Sequence, residues 1–494
     1  MPNYSMISGK QLIDKLASTI DKVLKPLVPA GASCALLEFP NYANSGDSVI
    51  WLGAKAWLRR NRNTVVYSCD KETYSRELMA AQLGSGIILL QGGGNFGDIW
   101  TDLQHFRERV IQDFPSNKII QLPQTLHFRQ EASIARTRLI LEAHPDLTLL
   151  VRDQASLDFA RQQFAVPATL CPDMAFALGP VERPHQAQTD MVWLARTDKE
   201  TQNKPAPQNE LGLICTDWLE EPHSALRDLN EQLSRDLKQL PDKAPELYRG
   251  LVGTYDPIAR ERFLRGITTL SQGHVVVTDR LHGHIMCLLL DIPHVLMDNN
   301  YGKVRGFYEA WTRDNKLTCW ADSPEEVVNT AFSDTRFRDV LQTKGINLTT
   351  LDRLVGRLKA SMETQTGWIT AGEKAKLLWK TQLNQTREDI LACVGIGQPF
   401  ILVDEDQIRT ELNLNAGTVI PFSGQEQGYL GPPVDDDAAI QALAQMRKNK
   451  AGFIAIAWPA FWWLDYYTRF AQHLRTNFQC MLKNERIEMY DLRA

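Results

Sequence analysis

Over the first 180 positions, short apolar runs bounded by turn residues alternate with amphipathic stretches. A helical pattern covers 8–25. CALLEF (34–39), ending at Pro40, reads as a buried strand, and the turn NYANSGD leads into a helix over 48–60. TVVYSC (64–69), GIILLQ (86–91), KIIQLP (118–123) and LTLLVRD (147–153) predict further strands, with a glycine-rich loop, GGGNFGD, after the second of these. Helices are expected over 99–114 and 131–143, the latter after a polar turn. Apolar strands alternating with amphipathic helices predict a parallel sheet covered on both faces.

Between Pro180 and Pro207 the chain turns polar, and then the alternation resumes. MVWLAR (191–196), LGLICT (211–216), HVVVTD (274–279) and IPHVLMD (292–298) read as strands. Charged or amphipathic helical stretches cover 223–240, 324–332 and 349–363. The composition shifts again near 365, where PFILVDED (399–406) and GFIAIAW (452–458) predict strands of a separate small domain. The expected fold class is α/β: two Rossmann-like lobes, 1–185 and 186–364, and a small α/β accessory domain of unassigned role, 365–494.

Composition narrows the function classes. Of 494 residues, 44% are hydrophobic and 23% charged, the balance of a globular protein. A formal net charge of -5 argues against a nucleic-acid partner. Eight cysteines are scattered without a CxxC spacing, which suits a reducing compartment and offers no zinc site. MPNYSMISGKQLIDKL lacks the apolar core of a signal peptide, and no run reaches the ~20 apolar residues of a membrane span. The expectation is a cytoplasmic protein, with room for peripheral contact at the inner face of a membrane.

Ligands of open parallel sheets bind beyond the carboxyl ends of strands, and four groups of residues fall there. Asn44-Ser45-Gly46-Asp47 precedes a helix. Gly46 permits a tight path, the helix start favours an anion, and Asp47 can cap it; a plain turn and cap explains it equally well. Gly92-Gly93-Gly94-Asn95-Phe96-Gly97-Asp98 is neither a dinucleotide fingerprint nor a P-loop. Its length and place favour a ligand-facing loop, with Gly93, Gly94 and Asn95 as contacts, over a simple glycine-rich turn. His127 and Arg152 stand at neighbouring strand ends, where each has a bland alternative as a surface residue or an ion pair. Arg280-Leu281-His282-Gly283-His284 gives the strongest signal. It puts a guanidinium fork and a proton-transferring imidazole at a helix start after a buried strand. The competing readings are a buried structural Arg–His pair and a metal site at His282 and His284. Metal is discounted because residues two apart do not share a helical face.

Together NYANSGD (41–47), QGGGNFGD (91–98), LPQTLHF (122–128), VRD (151–153), CPDMAF (171–176) and TDRLHGH (278–284) resemble the polysaccharide pyruvyl transferase family, in its order and spacing, over about 35–310. The resemblance implies a GT-B-like pair of lobes facing across a cleft. It also implies transfer of the enolpyruvyl-derived group of phosphoenolpyruvate to two hydroxyls of a sugar or lipid-linked oligosaccharide, forming a pyruvate ketal. Residues matching the family's donor site are His127, Arg152, Arg280, Leu281 and His282. His282 is expected as general acid–base, Arg280 and Arg152 as anion clamps, and His127 as the second acid–base or a donor ligand. No cofactor and no metal are implied. Alanine at Arg280 or His282 is expected to abolish turnover and leave folding intact.

The segment beyond 365 lies outside the resemblance. Its aromatic run, 458–467, reads as core, with a sugar-stacking platform and a membrane-interface anchor as alternatives. GYLGPPVDDD (428–437) reads as a turn whose acids cap a helix or bind a cation or acceptor. The segment is expected to recruit the acceptor or a glycan-assembly enzyme. Rival functions are a GT-B glycosyltransferase using a nucleotide sugar and a non-catalytic glycan-binding protein.

Overall fold

The first helix shows how local sequence sets an element. Ser8 caps α1 (Gly9–Leu24) by accepting the Gln11 N–H, and the Gln11 side chain accepts from Ser8 in return. Leu12, Ile13, Leu16, Ile20 and Leu24 then form its buried stripe. The computed structural model describes residues 7–239, 244–395, 397–414, 419–422, 431–448 and 451–493. These fall into two compact units, Met1–Ala371 and Gly372–Ala494.

The first unit holds two Rossmann-like lobes. In the first lobe, the strands are β1 (Ser33–Leu37), β2 (Thr64–Cys69), β3 (Ile87–Leu90), β4 (Gly93–Gly97), β5 (Ile119–His127), β6 (Leu147–Val151) and β7 (Ala168–Leu170). They run parallel in the order β2-β1-β3-β5-β6-β7, with β4 also on β5. Helices α2 (Ser45–Arg60), α3 (Arg76–Leu83), α4 (Thr101–Asp113), α5 (Glu131–Glu142) and α6 (Gln154–Gln163) alternate with them.

In the second lobe, β8 (Thr189–Leu194), β10 (Leu213–Thr216), β11 (Gly273–Thr278), β12 (His294–Leu296) and β13 (Thr318–Trp320) form a parallel sheet in the order β10-β8-β11-β12-β13. Two short strands, β9 (Ala206–Pro207) and β14 (Trp368–Ile369), pair antiparallel beside it. Its helices are α7 (Ala225–Gln239), α8 (Ala244–Ser271), α9 (Leu281–Leu289), α10 (Lys303–Phe307), α11 (Pro324–Asn329), α12 (Thr335–Thr343) and α13 (Leu348–Glu363). In both sheets the strand order reverses beside the first strand, between β1 and β3 and between β8 and β11. The crevice rule for open sheets places a ligand at the carboxyl ends of those strands.

The lobes close on each other where small residues permit it. A Cβ on Gly266 of α8 would lie 2.9 Å from Ser45 Cβ of α2 and 3.3 Å from Met286 Sδ of α9. One on Gly46 would lie 2.6 Å from His282 Nδ1. One core cluster is shared by the two lobes and runs from Leu12 through Trp51 and Tyr255 to Leu317, while each lobe keeps a further core of its own on the other face of its sheet.

Three local expectations are corrected. The glycine-rich loop is β4: Gly97 lies at φ +131°, and a Cβ there would sit 1.8 Å from the His127 carbonyl oxygen. The expected polar turn after Pro123 is the second half of β5; the ladder skips Leu122 and Pro123, as a residue without an N–H requires, and resumes at Gln124. Helix α2 starts at Ser45 rather than at 48.

The second unit is built on β15 (Phe400–Val403), β16 (Val419–Pro421), β17 (Phe453–Ala457), β18 (Gln479–Lys483) and β19 (Ile487–Asp491), in the order β16-β15-β17-β19-β18. The first three strands are parallel and the last two join antiparallel. Its helices are α14 (Ala371–Val394), α15 (Asp436–Lys448), α16 (Trp462–Tyr466) and α17 (Thr468–Asn477). Trp463, Tyr467 and Phe470 are core, packed with Phe422, whereas Trp462 and Tyr466 are exposed. Of GYLGPPVDDD, 428–430 lie outside the described residues. Asp435 accepts the Ala438 N–H, Asp436 accepts the Phe470 N–H, and Asp437 pairs with Arg469. No helix among the described residues is long and apolar enough to cross a membrane.

Candidate active site between the lobes

Helix α2 begins beyond β1, and its cap is Asn44: the Asn44 side-chain oxygen accepts the Gly46 N–H at 2.9 Å. Asp47 was expected as the cap. Its carboxylate instead accepts from Tyr42 Oη at 2.9 Å and Asn44 Nδ2 at 2.7 Å. Alanine at Asn44 should therefore cost about 1 kcal/mol of stability in a urea melt, the usual value of an N-cap, and leave Asp47 with one donor fewer. Gly46 is buried, its open face filled by the His282 ring. Gly93, at φ +141°, passes beneath Asp47: a Cβ there would lie 3.7 Å from Asp47 Oδ1.

Arg152 follows β6 and is 1% exposed. Its Nε donates to Thr125 Oγ1 at 3.0 Å, and its Nη1 donates to Asp173 Oδ2 at 2.6 Å. Asp173, fully buried, also meets His282 Nε2 of the second lobe at 3.4 Å and accepts the Ala175 N–H at 2.9 Å. Burial opposes its ionisation, but the His282 hydrogen bond and charge, with Arg152, outweigh it and hold the carboxyl well below the usual range. A single carboxylate thus ties Arg152 of one lobe to His282 of the other. Leu281 is wholly buried in the core at the start of α9.

Arg280 is 2% exposed and already engaged. Its Nε and Nη2 grip Asp217 at 2.6 and 2.7 Å, and Nη2 reaches Asp198 at 3.2 Å. From Asp198 the ion pairs continue: Arg196 binds Asp198 at 3.0 Å and Glu200 at 2.5 Å, and Glu200 binds Lys303. Lys303 reaches Gly94 of β4. A Cβ on Gly94 would lie 2.8 Å from Arg152 Nη2 and 3.2 Å from Lys303 Nζ. Burial pushes the Lys303 ammonium down to about 8, against the pull of Glu200. His127, half-buried at the end of β5, packs on the Tyr301 ring at 4.6 Å between centroids. Burial and the nearby Arg129 charge lower its pKa, so its imidazole is neutral at neutral pH.

Asn95 is held beneath this site. Its side-chain oxygen accepts from Gln124 Nε2 at 2.7 Å and Arg107 Nη2 at 2.9 Å, and its Nδ2 donates to Glu38 at 2.9 Å. Glu38 follows β1 in a left-handed conformation, φ +68°. Burial raises its carboxyl to about 7 against the opposing pull of Arg107 and Asn95. His284 turns into the core, bonded to His294 at 2.7 Å and Thr312 at 2.9 Å. No cluster of three metal-ligating side chains occurs among the described residues.

The structure therefore brings Arg152 and His282 together through Asp173, sets Gly46 against the His282 ring, and links Gly94 to Arg280 through a chain of ion pairs. Sequence reasoning quoted Asp173 within CPDMAF without giving it a role. It missed Glu38, Glu200, Tyr301 and Lys303, which stand in no motif.

Residues 44–301, just over half of the chain, match the model of the polysaccharide pyruvyl transferase family. The chain belongs to that family. "Pyruvyl transferase 1" of Schizosaccharomyces pombe is 30% identical over 301 residues, covering 56% of this chain and 69% of that protein. "Putative pyruvyl transferase EpsO" of Bacillus subtilis is 31% identical over 317 residues, covering 62% of this chain and 92% of that protein. Membership makes the chain a pyruvyl transferase acting in polysaccharide pyruvylation. The matched region ends before Lys303 and leaves the second unit outside it.

Proposed function

We propose that the chain transfers the enolpyruvyl-derived group of phosphoenolpyruvate to two hydroxyls of a sugar acceptor, with the lobes arranged in the GT-B manner around the donor. The observation that carries the reading is the shared Asp173 carboxylate. It orients a cation, Arg152, and a proton-transferring group, His282, from opposite lobes. A phosphorylated carboxylate donor needs compact positive charge and a proton source, and both stand there.

One sugar hydroxyl attacks C2 of the enol phosphate while C3 takes a proton, giving a methyl group and a tetrahedral phosphoketal. The C2–O bond to phosphate then breaks, and the second hydroxyl adds to C2. Of the two hydroxyl protons displaced, one is matched by the proton gained at C3, and the other leaves with phosphate. His282, held by Asp173, delivers the proton to C3. His127, neutral through burial, takes the proton of the attacking hydroxyl.

The full chain, incubated with phosphoenolpyruvate and a panel of sugar acceptors, should release phosphate in step with a pyruvylated product. Because a protonated His127 cannot act as base, kcat/KM should fall in acid with a midpoint below the ordinary imidazole range, and replacing His127 with glutamine should remove that acid limb along with most of the rate. Binding of a nucleotide sugar in place of phosphoenolpyruvate would sink the donor assignment.

A further inference from the structure

We propose that the second unit carries a carbohydrate site of its own, formed by Trp462, Tyr466 and Glu405, which takes neutral sugar residues of the glycan on which the chain acts. The ligand class rests on membership in the polysaccharide pyruvyl transferase family and not on the donor reading above.

Sheet topology gives the place. In the order β16-β15-β17-β19-β18 the chain passes from β15 to β16 on one side and then to β17 on the other, so the strand order reverses between β15 and β17. An open sheet takes its ligand beyond the carboxyl ends of two such strands. Asp404, Glu405 and Asp406 follow β15, and Glu405 and Asp406 lie at φ +54° and +59°. Asp404 fixes that turn by accepting the N–H groups of Asp406, Ile408 and Arg409 at 3.1, 3.0 and 2.7 Å. The aromatic run follows β17. Trp463 joins the two strand ends, its Nε1 donating to Glu405 Oε1 at 3.3 Å.

The aromatic run divides by what its rings touch. Trp463 and Tyr467 are core, and Tyr467 Oη donates to the Pro433 carbonyl at 2.5 Å. Trp462 and Tyr466, one turn apart on α16, are 39% and 66% exposed. Their ring centroids lie 5.7 Å apart with the planes at 68°, and Trp462 also packs on Trp463 at 6.1 Å and on Tyr467 at 5.9 Å. Two open rings thus form a corner on a packed base, and little ordering entropy is left to lose on binding. A pyranose has an apolar C–H face, which such a ring covers, and a rim of hydroxyls, which donate to carboxylates. Carboxylates gather here: burial, then the neighbouring Tyr466, Glu405, Asp436 and Asp435, raises the Tyr467 phenol pKa. Their negative charge opposes a phosphorylated ligand or an anionic membrane surface and favours an uncharged polyhydroxyl.

The test is calorimetric titration of the full chain, without phosphoenolpyruvate, with oligosaccharides of β-linked glucose, galactose and N-acetylglucosamine, and co-sedimentation with phosphatidylglycerol vesicles. Trp462→Ala, Trp462→Phe, Tyr466→Ala and Glu405→Gln are compared with the wild type, with a thermal melt of each. At least one oligosaccharide should bind, and Trp462→Ala and Tyr466→Ala should each weaken it about tenfold or more, as loss of an aromatic anchor does. Trp462→Phe keeps a ring and should stay within about threefold, and Glu405→Gln should cost about fivefold through loss of a charged acceptor. Binding of none of the oligosaccharides, or binding unchanged in folded Trp462→Ala and Tyr466→Ala, would overturn the site. Vesicle binding that Trp462→Ala abolishes, with no oligosaccharide bound, would make the rings a membrane anchor and overturn it likewise. Phosphoenolpyruvate is absent throughout, so each of these outcomes leaves the donor reading untouched.

Discussion

Asparagine at Asp173 is expected to slow turnover by at least about a hundredfold, on the scale of losing general acid–base catalysis, and to weaken the fold. The carboxylate is fully buried and is the counter-charge of Arg152 at 2.6 Å. Asparagine keeps the shape and removes the charge, so Arg152 stays buried without compensation; breaking such a pair costs about 3–5 kcal/mol. One amide oxygen cannot serve both the Ala175 N–H and the position shared by Arg152 and His282, so His282 loses the charged acceptor that sets its orientation and both proposed donor-site groups are disturbed at once. The pH dependence has a definite sign. A carboxyl held below its usual range contributes stability that is present above its unfolded pKa of ~3.9 and is lost as pH falls through the lower folded value. The gap between wild type and Asp173→Asn in urea midpoints should therefore persist below about pH 5 and close only in strong acid. A gap that closed near neutrality would assign the stabilisation to another group, and wild-type turnover would remove Asp173 from the site.

The inner strands of both sheets were legible in the sequence, because a parallel strand buried on both faces is a short run of apolar residues, as in CALLEF, GIILLQ and HVVVTD, whereas the three-residue edge strands β7 and β13 are too short to show a pattern. Helix α8 was not legible: it packs between the lobes, and its buried positions, from Tyr248 and Tyr255 to Gly266 and Leu270, include polar and small residues that blur the 3.6-residue period. β4 was hidden for a related reason. Three glycines advertise a loop, and only the approach of the His127 carbonyl shows that an extended strand with no side chain at 97 is what fits there. Of the site, the motifs located the residues but not their partners. Arg152 and Arg280 read as empty clamps, since a sequence does not say which carboxylates will stand opposite. Asp173 and Asp217 lie 21 and 63 positions away from them. Lys303 is a lone lysine in NYGKVRG, and its meaning comes only from Gly94 lying across from it.

Arg280→Ala is the second large effect, and its reading turns on those partners. Loss of the guanidinium leaves Asp217, which it grips through two nitrogens, without its charge partner, and leaves Asp198 to Arg196 alone. Burial works against the ionised Asp217, and the Arg280 charge and hydrogen bonds are what hold its pKa below the usual range. The single variant should therefore lose about 3–5 kcal/mol, the cost of stranding a buried charge, and not leave folding intact. Adding Asp217→Asn removes the stranded charge, and the double variant should regain at least about half of that stability, a coupling expected for contacting residues. Turnover should stay low in the double variant, because the ion pairs from Arg280 through Asp198, Arg196 and Glu200 remain cut short of their anchor and Lys303 loses its setting over Gly94. Urea melts and kcat/KM on the two variants separate the roles. Recovery of both stability and turnover would make Arg280 no more than a brace for Asp217, whereas recovery of stability alone places it in the working end of the site.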